Sequence, residues 1–221
     1  MSDRLVWIDC EMTGLDPVAD ALVEIAALVT DYDLNVLGEG VDIIIKPPDE
    51  ALAQMDPFVR DMHTSSGLLD QLAAGTTLAD AEQQVVDYLT EHCPEGSRPP
   101  LAGNSVGTDR LFISRDMAKL DALLHYRVVD VSTIKELARR WFPRAYYAAP
   151  DKRGNHRALA DIQESVEELR YYREAVFVAA PGPSSEEAKE LARRHGGSVT
   201  GLGGPADSVE RAGPADAEAE A

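Results

Sequence analysis

Runs of consecutive apolar residues in the first quarter of the chain predict buried β-strands. These runs lie at residues 5–8, 22–30 and 41–45. The polar stretch 31–35 separates the second run from the third and is typical of a hairpin turn. Two further short strands are predicted at residues 101–102 and 127–131.

From residue 78 onwards, apolar positions recur at the spacing of a helix. The pattern predicts helices over residues 78–92 and 109–117, and another from an N-cap at Ser132 through Trp141. A last helix is predicted over about residues 157–173. Three strands followed by helices that alternate with two short strands indicate an α/β domain, with a central mixed five-stranded sheet flanked by helices.

The composition changes at Pro181, where a segment rich in Gly, Pro, Ala and acidic residues begins. We expect residues 1–180 to form the folded domain. Residues 181–221 offer too little apolar surface to offset the entropy of ordering, so we expect a mostly disordered acidic tail. Within this tail, a capping signature predicts a short helix at residues 185–195.

The charge balance of the chain restricts its partners. The 221 residues include 39 Asp and Glu against 21 Lys and Arg, which gives a formal net charge of −18 at pH 7. Long nucleic acid is normally bound through a basic surface, so the balance argues against a long duplex as partner. An apolar run of about 18 residues and a secretory signal are both absent from the sequence. With two cysteines, Cys10 and Cys93, we expect a reduced, cytoplasmic protein that does not bind membranes.

Two acidic residues lie at the end of the first predicted strand. Side chains alternate along a strand, so Asp9 and Glu11 point to the same side. Adjacent carboxylates repel each other unless a cation lies between them, and Mg²⁺ and Mn²⁺ prefer oxygen ligands. Taken alone, the pair is also typical of an ordinary solvated strand end.

Three more residues could carry chemistry, although each could equally have an ordinary structural role. Asp109 follows a turn bracketed by glycines and could cap the next helix. Asp161 lies on the first turns of the last helix, where an acidic residue interacts favourably with the helix dipole. His156, five residues earlier, could be a surface histidine.

Taken together, the order of Asp9, Glu11, Asp109, His156 and Asp161 resembles the DEDDh 3′–5′ exonucleases, which have an RNase H-like fold. The sequence motifs are most similar to those of the oligoribonuclease family, over about residues 4–178. The segments that carry this resemblance are residues 7–15, 103–105, 130–141 and 156–174.

The resemblance implies two-metal-ion hydrolysis of phosphodiester bonds, with Mg²⁺ or Mn²⁺ as cofactor. It implies that Asp9 bridges both ions, that Glu11 and Asp161 complete the site of the ion that activates the nucleophile, and that Asp109 serves the second ion. His156 would be the general base, since an imidazole pKa near 6.5 suits proton abstraction at neutral pH.

The resemblance also implies a substrate, namely short single-stranded RNA and especially 5′-phosphorylated dinucleotides, which are converted to nucleoside 5′-monophosphates by a homodimer. Leu15 would wedge between the two bases, and Phe58 would stack on one of them. Tyr126 and Arg127 would reach in from the other subunit. The remaining residues that would line the pocket are His63, Ser105 and Ser132.

Several of these residues could instead serve the fold alone. Phe58 and Tyr126 could belong to the core, while Ser105 and Ser132 could serve a turn and an N-cap. A basic cluster, formed by Lys152, Arg153 and Arg157, could guide phosphate or could be a solvated loop.

Two rival functions share this fold. A tRNA-trimming or proofreading exonuclease would act on longer 3′ ends and would need a basic surface stripe, which the sequence does not show. A catalytically inactive binding module would not need the complete set of acidic residues.

Overall fold

The computed structural model describes residues 3–151 and 157–196. The chain divides into two compact units, Met1–Phe177 and Val178–Ala221.

The first unit is built on one mixed five-stranded sheet, as the sequence predicts. Its strands are β1 (Arg4–Met12), β2 (Leu22–Asp31), β3 (Val36–Ile44), β4 (Pro100–Gly103) and β5 (His125–Asp130). The strand order is β3-β2-β1-β4-β5. Pairing is antiparallel between β1 and β2 and between β2 and β3, and it is parallel between β1 and β4 and between β4 and β5. Strand β1 is therefore the centre of the sheet.

Helices cover both faces of the sheet and fill the connections. They are α1 (Asp49–Gln54), α2 (Pro57–Ser65), a 3₁₀ helix (Leu69–Ala74), α3 (Leu78–His92), α4 (Gly107–Asp116), α5 (Ala118–Leu123), α6 (Val131–Trp141), α7 (Pro143–Tyr147) and α8 (Ala158–Ala175). The four long helices α3, α4, α6 and α8 were predicted from apolar spacing. The other five segments are too short to show a full helical pattern.

The two faces of β1 are packed against different helices. Val6 and Ile8 point into a core that includes Val85 of α3 and Phe112 of α4. Trp7 points to the opposite face, where it joins Tyr172 of α8, and both side chains are fully buried. Helix α8 is thus fixed against the strand that carries the first two acidic residues.

Two sequence predictions need correction. The third strand does not begin at residue 41 but at Val36, because β2 offers ladder partners as far as Thr30. Ser132 is not the N-cap of α6. That position belongs to Asp130, whose carboxylate accepts a hydrogen bond from the backbone N–H of Ser132 at 2.8 Å.

The second unit contains α9 (Ser185–His195). Ser184 and Glu187 form a reciprocal capping box at its start. The rest of the predicted tail, residues 197–221, lies outside the described residues. Among the helices of the described ranges, none has the length and apolar character needed to cross a membrane.

Candidate active site

Three of the predicted acidic residues meet at one end of the sheet. Asp9 and Glu11 lie on the same side of β1, and Asp161 lies on the first turn of α8. Each contributes one carboxylate oxygen to a cluster in which all these atoms lie within 4.8 Å of one another. Residues that are about 150 positions apart in sequence are therefore close enough to share a cation.

Asp109 approaches the same strand from α4. Its side chain is buried, and its Oδ1 accepts a hydrogen bond from the backbone N–H of Cys10 at 3.0 Å. Cys10 lies between Asp9 and Glu11, so this hydrogen bond fixes Asp109 beside the cluster. Asp109 does not cap α4, since the N-cap is Val106.

Burial and mutual repulsion raise the pKa values of three of these carboxyl groups. Burial, reinforced by the charges of Asp109 and Glu11, raises the pKa of Asp9 from 3.8 to about 9. Burial, reinforced by Glu24 and Asp161, raises the pKa of Glu11 from 4.5 to about 8. Burial also raises the pKa of Asp109, to about 6. Several carboxylate oxygens with no positive charge between them are suitable ligands for hard divalent cations.

His63 of α2 lies behind Glu11. The imidazole is fully buried, its Nε2 donates to the backbone carbonyl of Met12 at 2.8 Å, and its Nδ1 lies 3.9 Å from Glu11 Oε2. The family resemblance implies that this residue lines the substrate pocket. In the structure it supports the end of β1.

Ser105 and Ser132 lie next to each other at the ends of β4 and β5. Their hydroxyl oxygens are 3.1 Å apart, and Ser132 Oγ donates to Asn104 Oδ1 at 2.9 Å. Asp130 Oδ1 accepts from the backbone N–H of both serines, at 3.1 and 2.8 Å. One carboxylate thereby joins the loop after β4 to the start of α6. Ser105 occupies the turn that the sequence allows for it, with φ at +55°.

The same network reaches α8. Asn104 Nδ2 donates to Ser165 Oγ at 2.8 Å, and Ser165 Oγ donates to the backbone carbonyl of Asp161 at 2.7 Å. Ser105, Ser132 and Asp161 therefore belong to one hydrogen-bonded system.

Three large apolar side chains of the predicted pocket are exposed to solvent. The exposed fractions are 73% for Leu15, 76% for Phe58 and 76% for Tyr126. The alternative that Phe58 and Tyr126 belong to the core is wrong. The guanidinium of Arg127 lies over the Tyr126 ring, 5.4 Å from its centroid.

The basic cluster is only partly described. His156, Lys152 and Arg153 lie outside the described residues. Arg157 pairs with Glu24 at 2.8 Å and with Asp42 at 3.8 Å. Its guanidinium is therefore held by two carboxylates rather than free in a solvated loop.

Glu24, Asn104 and Asp130 were not predicted from the sequence, although all three make contacts at this end of the sheet. Glu24 could have been found from the sequence, because a charged residue within a buried strand is unusual and Glu24 is the one charged residue in the apolar run 22–30. Asn104 and Asp130 are ordinary turn and cap residues in sequence, and their contacts depend on chain segments that fold together.

A family model and several curated relatives match most of this chain. The family model described as Exonuclease (RNase_T) matches residues 6–169. A protein of Streptomyces griseus named oligoribonuclease is 69% identical over 194 residues, which are 88% of this chain and 96% of that protein. An oligoribonuclease of Cutibacterium acnes is 59% identical, over 90% of this chain and 98% of that protein.

Solved structures support the fold. An exonuclease I structure aligns with a TM-score of 0.64 at 15% identity, over 79% of this chain and 41% of that one. The exonuclease I of Methylocaldum szegediense aligns with a TM-score of 0.60 at 22% identity, over 86% of this chain and 45% of that one. This chain thus spans less than half of either, and the likeness shows the predicted RNase H-like fold. The chain belongs to the oligoribonuclease family of exonucleases.

Proposed function

We propose that this protein is a metal-dependent 3′–5′ exoribonuclease that hydrolyses very short oligoribonucleotides, especially 5′-phosphorylated dinucleotides, to nucleoside 5′-monophosphates. The observation that carries the chemistry is the cluster of three carboxylate oxygens within 4.8 Å of one another at the end of β1. The names of relatives at 59 to 69% identity support the substrate class.

Asp9, Glu11, Asp109 and Asp161 are proposed to hold two divalent cations, Mg²⁺ or Mn²⁺. When bound, such ions activate water and neutralise the phosphate and the leaving oxygen. The four carboxylates supply the charge that holds them, and the antiparallel pairing of β1 with β2 keeps Asp9 and Glu11 fixed. His156 is proposed to take the proton of the attacking water as general base.

Several surface features support a short substrate. Phe58 exposes an aromatic ring on which a base can stack, and Leu15 exposes an aliphatic side chain that can wedge between two bases. The hydroxyls of Ser105 and Ser132 offer hydrogen bonds beside the acidic cluster. A dinucleotide needs few phosphate contacts, so it is compatible with a net charge of −18.

The proposal is tested by a time course with Mn²⁺ on 5′-phosphorylated RNAs of two, five and twenty nucleotides. We expect the dinucleotide to disappear fastest. His156→Ala should slow its loss by about 10²- to 10⁴-fold, the usual contribution of a general base. If the twenty-nucleotide RNA is degraded as fast as the dinucleotide or faster, the protein belongs to the trimming exonucleases.

We further propose that two copies of this chain associate through β5. This strand lies at the edge of the sheet, where its outer backbone groups face away from β4 and a second strand can cover them. Tyr126 and Val128 on β5 and Trp141 at the end of α6 are all exposed, so the edge is flanked by apolar side chains. In this dimer, Tyr126 and Arg127 would complete the site of the partner.

Replacing Tyr126 with Ala should therefore impair the enzyme without unfolding it. Because the ring is 76% exposed in one chain, its loss leaves no cavity in the core. We expect dinucleotide turnover to fall at least ~10-fold, as for an aromatic anchor worth about 1.4 kcal/mol or more, while the melting temperature changes little. Tyr147→Ala, at another exposed tyrosine outside the strand edge, is the matched control. Turnover equal to that of the control would remove Tyr126 from the site.

A further inference from the structure

Glu24 is a fully buried acidic residue near the start of β2, at the end of the sheet that carries the acidic cluster. It lies on β2 directly opposite Glu11 of β1 in the antiparallel ladder. Placing two carboxylates side by side is costly, and Glu24 contributes to the raised pKa of Glu11. A buried residue with this cost needs a compensating interaction.

That interaction is with the start of α8. Glu24 Oε1 accepts from Arg157 Nε at 2.8 Å, and Glu24 Oε2 accepts from the backbone N–H of Ala158 at 3.2 Å. The first N–H groups of a helix have no partner within the helix, and Arg157, at the N-cap, provides no side-chain cap. A strand residue 134 positions away in sequence therefore caps this helix.

The capped turn is the one that carries Asp161. The backbone N–H of Asp161 donates to the carbonyl of Arg157 at 3.0 Å, which makes the two residues the ends of one helical turn. Ala158 and Ile162 are buried against the sheet, so this turn is held by packing on one side and by Glu24 at its end.

We propose that Glu24 is a positioning residue, which holds the first turn of α8 so that Asp161 stays in cation-sharing distance of Asp9 and Glu11. This inference rests on the proposed metal site. A carboxylate suits the task because both of its oxygens accept hydrogen bonds. In a glutamine, the side-chain NH₂ would face either Arg157 Nε or the backbone N–H of Ala158, and neither of these can accept a hydrogen bond.

Two substitutions separate positioning from simple electrostatics. Glu24→Gln removes a negative charge, so weaker cation binding would be expected from charge alone. Arg157→Gln removes a positive charge near the acidic cluster, so charge alone predicts tighter cation binding. If the pair acts by positioning the helix, both substitutions weaken binding.

The experiment measures Mn²⁺ affinity by calorimetry on the full chain without RNA, with kcat and KM for a dinucleotide as the second readout. We expect Glu24→Gln to weaken Mn²⁺ binding by about 10- to 100-fold, as when a residue that orients a metal ligand is lost. Arg157→Gln should weaken it by about 3-fold or more on the same ground. The loss of activity should appear in kcat, with KM changed little.

Glu82→Gln is the matched control. Glu82 is a buried acidic residue that accepts from the backbone N–H groups of Lys119 and Leu120 at the start of α5, away from the acidic cluster. Its replacement should lower stability without changing Mn²⁺ affinity. If Glu24→Gln fails to fold, Arg157→Gln decides the question.

Unchanged or tighter Mn²⁺ binding by Arg157→Gln would overturn the positioning role. Wild-type protein that binds Mn²⁺ but leaves RNA intact would overturn the proposed function alone, because the affinity measurement does not depend on RNA.

Discussion

Replacing Asp9 with Asn is expected to lower kcat for dinucleotide hydrolysis by at least ~10³-fold, since losing a metal ligand removes several kcal/mol of transition-state stabilisation and about 4 kcal/mol corresponds to that factor. Asp9 lies among the other acidic residues of the site, since the charges of Asp109, Glu11 and Asp161 all raise its pKa. An amide keeps the shape of the side chain but loses its charge. The measurement is a dinucleotide time course at saturating Mn²⁺.

The same variant should not be less stable. Folding raises the pKa of Asp9 from 3.8 to about 9, so in the metal-free protein its ionisation opposes folding increasingly as the pH rises between these values. Asn cannot ionise, and its advantage over Asp therefore grows with pH. We expect a melting temperature equal to or above that of the wild type at about pH 8, inside this range. A large drop in melting temperature would mean that the lost activity reflects unfolding.

A matched control for this variant is Asp33→Asn, in the exposed turn between β2 and β3. It makes the same chemical change away from the acidic cluster and should leave kcat within about 2-fold, as for surface substitutions generally. Asp9→Asn protein with the kcat of this control would remove Asp9 from the metal site.

Cation affinity should rise steeply with pH. Asp9 and Glu11, with pKa values of about 9 and about 8, hold protons at neutral pH in the metal-free protein. Coordination requires the ionised form, so cation binding must displace these protons. Each displaced proton makes the apparent affinity rise by up to ~10-fold per pH unit. We expect at least ~10-fold tighter Mg²⁺ binding at about pH 8 than at about pH 6.5, with the slope flattening as the pH approaches about 9.

Calorimetry in buffers of different ionisation enthalpy counts the protons that are released on binding. Asp9→Asn should release fewer than the wild type, because its amide carries no titratable proton. Affinity that stays flat over this pH range, with no proton release, would show that the carboxyl groups are already ionised before the cation arrives.

The sequence predicts the strands and the long helices of this protein well. Strand β2 and helix α3 can be recognised from the order of apolar and polar residues within each segment, because that order reflects which face is buried. Alternation along β1 also places Asp9 and Glu11 on one side. The short helix α2 was missed although Asp56 caps it and Pro57 begins it, because its 9 residues show little more than two turns of periodicity.

What the sequence could not provide is the set of contacts between distant segments. The hydrogen bond from Cys10 to Asp109 joins residues 99 positions apart, and that from Ala158 to Glu24 joins residues 134 positions apart. Such pairs depend on sheet order and on how helices pack, which local propensity does not encode. The exposure of Phe58 and Tyr126 depends on the same packing, and only the structure decides between core and surface for them.

The central position of β1 has a consequence for how the protein loses activity. Its residues are buried from Leu5 to Ile8, it pairs with a strand on each side, and the Cys10 amide is hydrogen-bonded to Asp109. Amides at the centre of a sheet exchange with solvent only when the whole cooperative unit opens. Loss of the arrangement of Asp9, Glu11 and Asp109 in denaturant should therefore coincide with global unfolding, with no separate stage in which these three residues come apart while the fold persists.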